Sequence, residues 1–247
     1  FIIDHVPAQL VYGPVGSRRF GRSLGISCSP PGPVACRWHC PYCQLSEDRR
    51  GRLAPIEDIL AAVERAVAAR PAVDAVTVAG NGEPLDHPDF ARVAEAAFSA
   101  ARRLSARSVL LTNGDHVASW RDAVARFDVA YLKWDPGPRE GAWRAMSTNE
   151  ASQRRQTLRS QPRLRIQSML SGEVDPDGDR ERLGTWLEDL RSLRPVEVHL
   201  TTLERPPRDP RLRAAPAARL ERWRSAAALA LGVPVQAFPA SAAEEPS

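Results

Sequence analysis

Six short apolar runs alternate with longer amphipathic stretches along this chain of 247 residues, and few architectures accept such an alternation. The runs cover 23–28, 75–79, 108–111, 129–133, 165–169 and 196–200, and they are short and rich in β-branched residues. That combination favours strands over helices. Between them, 55–70, 88–104, 117–126, a segment within 147–160, 177–193 and 216–231 carry helical periodicity. Pro55 at the first helical position, with Glu57 and Asp58 behind it, suits the start of the first helix, and Gly232 suits the cap of the last. Strand and helix in strict succession predict parallel strands joined by crossover helices, an α/β fold. The length and a hydrophobic content of 43% fit one domain over 1–247. It divides into an N-terminal extension (1–22), a cysteine loop (29–46) after the first strand, and a C-terminal helix and tail (203–247).

Three of the four cysteines, Cys36, Cys40 and Cys43, fall within eight residues. Pro41 removes a backbone donor and biases Cys40 towards extended geometry, so the cysteines belong to a loop and not to one helical face. Thiolates at this spacing suit a single metal centre. An iron–sulfur cubane held by only three of them keeps one iron open for another ligand. Tetrahedral zinc, with His39 or Cys28 as fourth ligand, uses the same residues. A disulfide framework is the weaker reading, because a chain of this size can bury its own core and needs no staples. Cys28, eight residues upstream, reads as a buried thiol.

The net charge is +4, yet 33 of the 34 basic residues are arginine. With so many alanines and prolines beside them, this excess reads as codon bias and not as a phosphate-binding footprint. The single lysine, Lys133, therefore marks a position where an amine that can lose its proton serves better than a guanidinium. Arg154, Arg155, Arg159, Arg163 and Arg165 read as a solvated helix face. No run approaches the roughly 20 apolar residues of a membrane span, and no leader-like segment precedes Tyr12, so a cytoplasmic location is expected.

The CxxxCxxC pattern, with Tyr42 before its last cysteine, resembles the signature of the radical S-adenosylmethionine (radical SAM) enzymes. The resemblance continues in YGPVGSRRFGRSLG at 12–25, AGNGEP at 79–84, LTNG at 111–114, QSM at 167–169 and LERPP at 203–207. Together these resemble a small branch related to the wyosine-base-forming tRNA enzymes. The resemblance implies a partial (β/α)6 TIM-like barrel, a [4Fe-4S] cluster on Cys36, Cys40 and Cys43, and SAM on the open iron. Active sites of such barrels form at the C-terminal ends of the strands, and each motif falls at such an end. Ser17, Arg18, Arg19 and Arg22 would close the barrel base or bind an anion.

The same resemblance, together with the polar residues that stand at the strand ends, assigns roles. Gly80, Gly82 and Glu83 receive the SAM ammonium together with Asn81, which stands where many members have glycine. Asn113 and Asp135 meet the ribose, Tyr42 the adenine, and Gln167 and Ser168 complete the SAM site. Lys133, His199 and Thr201, with Gln167 and Ser168, are the substrate-facing candidates, Lys133 being the catalytic one. Trp134 then points away. The implied reaction is reductive cleavage of SAM to a 5′-deoxyadenosyl radical, which abstracts hydrogen from a small-molecule or nucleoside substrate. It needs an electron donor such as flavodoxin or ferredoxin. The same chemistry on a tRNA base, or as activase of a partner protein, is the first alternative. A zinc-binding protein without enzymatic activity is the second.

Overall fold

The computed structural model describes residues 10–38, 40–45, 48, 50–136, 148–172 and 176–241. His39, one of the two residues offered as fourth zinc ligand, and the tail beyond Ser241 lie outside them. The chain divides into two compact units, one made of 1–37 with 45–132, the other of 38–44 with 133–247.

In the first unit β1 (Val11–Ser17) and β2 (Gly21–Ile26) form an antiparallel hairpin. Then β2, β3 (Ala75–Val78), β4 (Arg107–Thr112) and β5 (Val129–Lys133) pair in parallel, in that order. The crossovers carry α1 (Ile56–Ala68), α2 (Phe90–Arg103) and α3 (Arg121–Ala125). In the second unit β6 (Arg165–Met169), β7 (Glu197–Thr201) and β8 (Val235–Phe238) are parallel, with α4 (Thr148–Arg159), α5 (Pro176–Leu193) and α6 (Ala217–Leu231) around them.

All four residues of β3 are buried, as a parallel strand covered on both faces requires. Helix α1 buries Ile59, Val63 and Val67, one turn apart on a single stripe. Helix α2 buries Phe90, whose ring packs on Trp120 and Phe127 at centroid distances of 5.8 and 6.4 Å. In the second unit Ser168 meets the indole of Trp186 from α5. The alternation of strand side chains therefore turns Ile166, Ser168 and Leu170 towards the helices, and Gln167 and Met169 the other way.

All six expected strands are present, with ends shifted by one or two residues, and the six expected helices are too. Pro55 stands at the N-cap, one place before the first helical residue. Two further strands flank the six. The pattern of β1 is diluted by two glycines and a proline, and β8 has four residues, too few to show a period. Gly232 closes α6 in the left-handed conformation, as expected. Arg19 places its guanidinium over the rings of Phe20 (4.8 Å) and Tyr131 (5.9 Å), on an apolar cluster with Ala75 and Val109. Burial lowers its pKa to about 10. That placement seats Arg19 on the apolar core of the first unit. Among the described residues no helix is long and apolar enough to cross a membrane.

Phe90 is fully buried. Replacing it with alanine should remove about 3–5 kcal/mol of stability, read as a lower urea midpoint.

Candidate functional site

In the first unit the segment after β3 is built around close backbone approach. Gly80 and Gly82 have φ of +137° and +146°, a region that side chains disfavour. A Cβ on Gly82 would stand 2.5 Å from the Ala35 carbonyl oxygen. That carbonyl accepts the Glu83 N–H at 3.0 Å, and Ala35 and Gly82 form a bridge, so the chain beside Cys36 is laid directly on the Gly–Asn–Gly turn. Asn81 adds to this anchoring. Its amide donates to the Pro30 and Pro33 carbonyls at 2.6 and 3.3 Å, and its N–H donates to Ser27 Oγ at 3.1 Å.

Glu83 is buried, and its carboxylate gathers three donors: Thr112 Oγ1, the Asn113 N–H (2.7 Å) and the Leu85 N–H (3.1 Å). It ties the end of β3 to the end of β4. Asn113 Oδ1 then accepts the Asp115 N–H at 2.9 Å, and Asp115 pairs with Arg37 at 3.4 Å, next to Cys36 in sequence. Burial pushes the Glu83 carboxyl up to about 7, against the pull of its hydrogen bonds. Cys28 is a buried thiol, as expected, raised to about 12 by burial and by the charge of Glu83.

The second unit holds the other half of the cysteine loop. Tyr42 is buried and donates its hydroxyl to Asp135 Oδ2, while Asp135 Oδ1 accepts the Met169 N–H at 2.8 Å. Lys133 Nζ lies 4.7 Å from the centre of the Tyr42 ring, a cation–π distance. The Lys133 carbonyl accepts from Arg154 at 2.5 Å, and that guanidinium lies between the rings of Trp38 (4.7 Å) and Trp134 (5.8 Å). The backbone around Cys43 is fixed as well. The Arg208 N–H donates to the Cys43 carbonyl (2.8 Å) and the Asp209 N–H to that of Pro41 (2.9 Å).

Several expectations change here. Ser168 does not share a face with Gln167: its hydroxyl donates to the Trp134 carbonyl and accepts from Trp186 Nε1 at 3.0 Å, because neighbouring strand residues face opposite ways. Trp134 turns away from the Lys133 side, as expected, with its indole on Asp189. His199 is buried beside Gln167 in register, but it is engaged with Glu197 (3.1 Å) and the Phe238 ring (4.8 Å). Thr201 donates to the Ser168 carbonyl at 3.2 Å. The solvated reading of the arginine run holds for Arg159 and Arg163, which are exposed, and fails for the other three. Arg154 is buried, Arg155 pairs with Asp189 at 2.7 Å, and Arg165 pairs with Glu197 at 3.0 Å.

Cys36, Cys40 and Cys43 are half-buried and form no disulfide, and the Cys43 N–H donates to the Cys40 carbonyl at 3.0 Å. Among the described residues no three His, Cys, Asp or Glu side chains already stand together as a metal site. The donor set itself suits an iron–sulfur cluster, since three soft thiols share one short loop. Ser27, Trp38 and the 208–209 backbone escaped the sequence reading, while Thr112 entered it only within the LTNG stretch and Arg154 only as a solvated residue. Only Trp38, an aromatic residue set between the first two cysteines, carried a signal there.

The raised pKa of Glu83 has a thermodynamic consequence. The folded protein keeps this proton where the unfolded chain has lost it. Glu83 therefore contributes stability that is complete below the ordinary carboxyl range and is lost as pH rises towards about 7. Unfolding of the wild type and of Glu83→Gln from pH 4 to 8 should show that decline in the wild type and a flatter profile in the variant.

Comparison with known proteins gives a family and a fold. The Radical SAM superfamily model matches residues 32–135, from the cysteine loop to Asp135. A UPF0026 protein of Synechocystis sp. is 31% identical over 212 residues, covering 79% of this chain and 76% of that protein. A UPF0026 protein of Helicobacter pylori is 28% identical over 133 residues, which is 51% of this chain but 42% of that protein, so the chain spans less than half of this relative. Among solved structures, Streptococcus suis SuiB bound to precursor peptide SuiA superposes with a TM-score of 0.60 at 14% identity, covering 86% of this chain and 48% of SuiB. TYW1 with a lysine–pyruvate adduct gives 0.58 at 13%, covering 84% of this chain and 73% of TYW1. At such identities the likeness shows the fold, a partial TIM-like barrel. With 31% identity over 79% of this chain and 76% of the Synechocystis protein, the chain belongs to the UPF0026 proteins, and its residues 32–135 match the radical SAM superfamily, which uses a [4Fe-4S] cluster and S-adenosyl-L-methionine.

Proposed function

We propose that this protein is a radical SAM enzyme, with Cys36, Cys40 and Cys43 as cluster ligands and a small molecule or nucleoside as substrate. The observation that carries the reading is the double anchoring of the cysteine loop. Its start is pinned to the Gly80–Asn81–Gly82–Glu83 turn, and its end rests on Lys133, Asp135 and the 208–209 backbone. Bound together, the cluster and SAM supply a one-electron cleavage whose deoxyadenosyl radical can take hydrogen from an unactivated carbon. All else falls to the chain's own residues.

Three thiolates hold a soft metal centre. The backbone carbonyls of the glycine turn and the Glu83 carboxylate are acceptors that suit an ammonium group withdrawn from water. Glu83 Oε2 takes one protein donor, the Asn113 N–H, and so keeps acceptor capacity for a second. Asp135 fixes the Tyr42 ring and, through Met169, the end of β6, which suits a wall against which a planar base can rest. Lys133 offers an amine that can donate or accept a proton, held over that ring with its carbonyl fixed by Arg154. In TYW1 a lysine bears a pyruvate adduct. Here amine chemistry of that kind has a single side-chain candidate, since Lys133 is the only lysine.

Anaerobic reconstitution tests the reading. The wild type should take up iron and sulfide, absorb broadly near 400 nm, and release deoxyadenosine from SAM under dithionite. Cys40→Ala should keep the fold by circular dichroism and lose the chromophore. Zinc binding with no chromophore would sink the proposal.

Lys133→Arg keeps the positive charge over Tyr42 and removes the amine. It should still form deoxyadenosine while losing product by at least about tenfold, the scale of acid–base catalysis. Full turnover in that variant would remove Lys133 from the chemistry. Borohydride trapping of a carbonyl compound on the wild type, absent from Lys133→Arg, would identify the amine as a nucleophile.

A further inference from the structure

Resting on the cluster reading above, we infer that residues 204–213, the segment after β7, form the docking surface for an acidic, low-potential electron-carrier protein of the flavodoxin or ferredoxin class. One electron leaves the carrier, which is oxidised by one, and the cluster is reduced by one; no bond forms or breaks. The rate of such a transfer falls exponentially with distance and is favoured by bonded routes. The segment provides one. The Arg208 N–H donates to the Cys43 carbonyl at 2.8 Å, and the Asp209 N–H to the Pro41 carbonyl at 2.9 Å. A third contact, from the Gln44 amide to the Arg205 carbonyl at 3.4 Å, continues the same seam. A partner seated on 204–213 is one hydrogen bond from the backbone of a cluster ligand.

The chemistry of the segment matches such a partner. It contains four arginines, two acids, three prolines and no aromatic residue. Arg205, Arg211 and Arg213 are exposed. Both acids are engaged: Asp209 takes the Arg211 guanidinium on both oxygens, and Glu204 accepts the Ser241 N–H. Pro206, Pro207 and Pro210 limit the backbone, so little order has to be imposed on binding. Electron-transfer complexes are small and weak, and opposite charge supplies their encounter rate more than their affinity. Single-stranded RNA also seeks arginine, but it binds through aromatic platforms that 204–213 lacks.

The test uses the full chain with its cluster reconstituted, mixed in a stopped-flow cell with an acidic flavodoxin hydroquinone, and follows bleaching near 400 nm. For the wild type the rate constant should fall at least about tenfold between low and high salt. The double variant Arg205→Glu with Arg213→Glu should lose about the same factor at low salt, and the corresponding alanine pair should fall between. Reduced methyl viologen, a small cation, should bleach all three proteins at rates within about twofold, and the EPR signal after excess dithionite should be equal. A charge-reversed variant that takes electrons from flavodoxin at the wild-type rate overturns the surface. So does one that keeps that rate while losing low-salt affinity for tRNA, which would give the arginines to nucleic acid. A wild type with no reducible cluster defeats the proposed function itself, and the docking role with it.

Discussion

The alternation of side chains across a β-strand governs almost everything else in this protein. Neighbouring residues must face opposite ways, so each strand divides its side chains between the helical layer and the other face. At the end of β5 this sends Trp134 to Asp189 and Lys133 to the Tyr42 ring, although the two are adjacent. At the end of β6 it gives Ser168 to Trp186 and leaves Gln167 on the other side. The parallel pairing within each unit then brings successive strand ends to one edge. Glu83 can therefore reach Thr112 and Asn113.

The polar groups at those ends hold the site more than they face a ligand. Asn81, expected beside the SAM ammonium, spends its amide on Pro30 and Pro33. Glu83 carries three protein donors, and Asp135 serves Tyr42 and Met169. Buried carboxylates without such partners would be costly, and with them they fix loops that otherwise have little secondary structure. Among its described residues the cysteine loop has no helix or strand beyond the bridge at Ala35, yet its backbone is held at Ala35, Pro41 and Cys43.

Arginine has several unrelated uses here, which is why composition alone misleads. Arg19 lies on an apolar cluster, Arg154 between two indoles, and Arg219 pairs with the buried Asp179 at 2.6 Å. A guanidinium is weakly hydrated and flat, so it tolerates burial against rings where an ammonium would not. Most of the described arginines, Arg205 and Arg213 among them, nonetheless stay exposed.

By itself the sequence determined the parallel α/β order, the cysteine loop and its family signature, because these rest on local periodicity and on fixed spacing along the chain. The hairpin strand β1 and the four-residue β8 were hidden, their patterns broken by glycine and proline or too short to show. Tertiary structure alone decided the partners: that Glu83 reaches across to Asn113, that Ser168 belongs to the helices, and that Arg154 is packed between Trp38 and Trp134. It also decided that the backbone after β7 lies against Cys43. Such contacts join residues tens of positions apart, and no local pattern encodes which distant group will satisfy a buried charge or carbonyl.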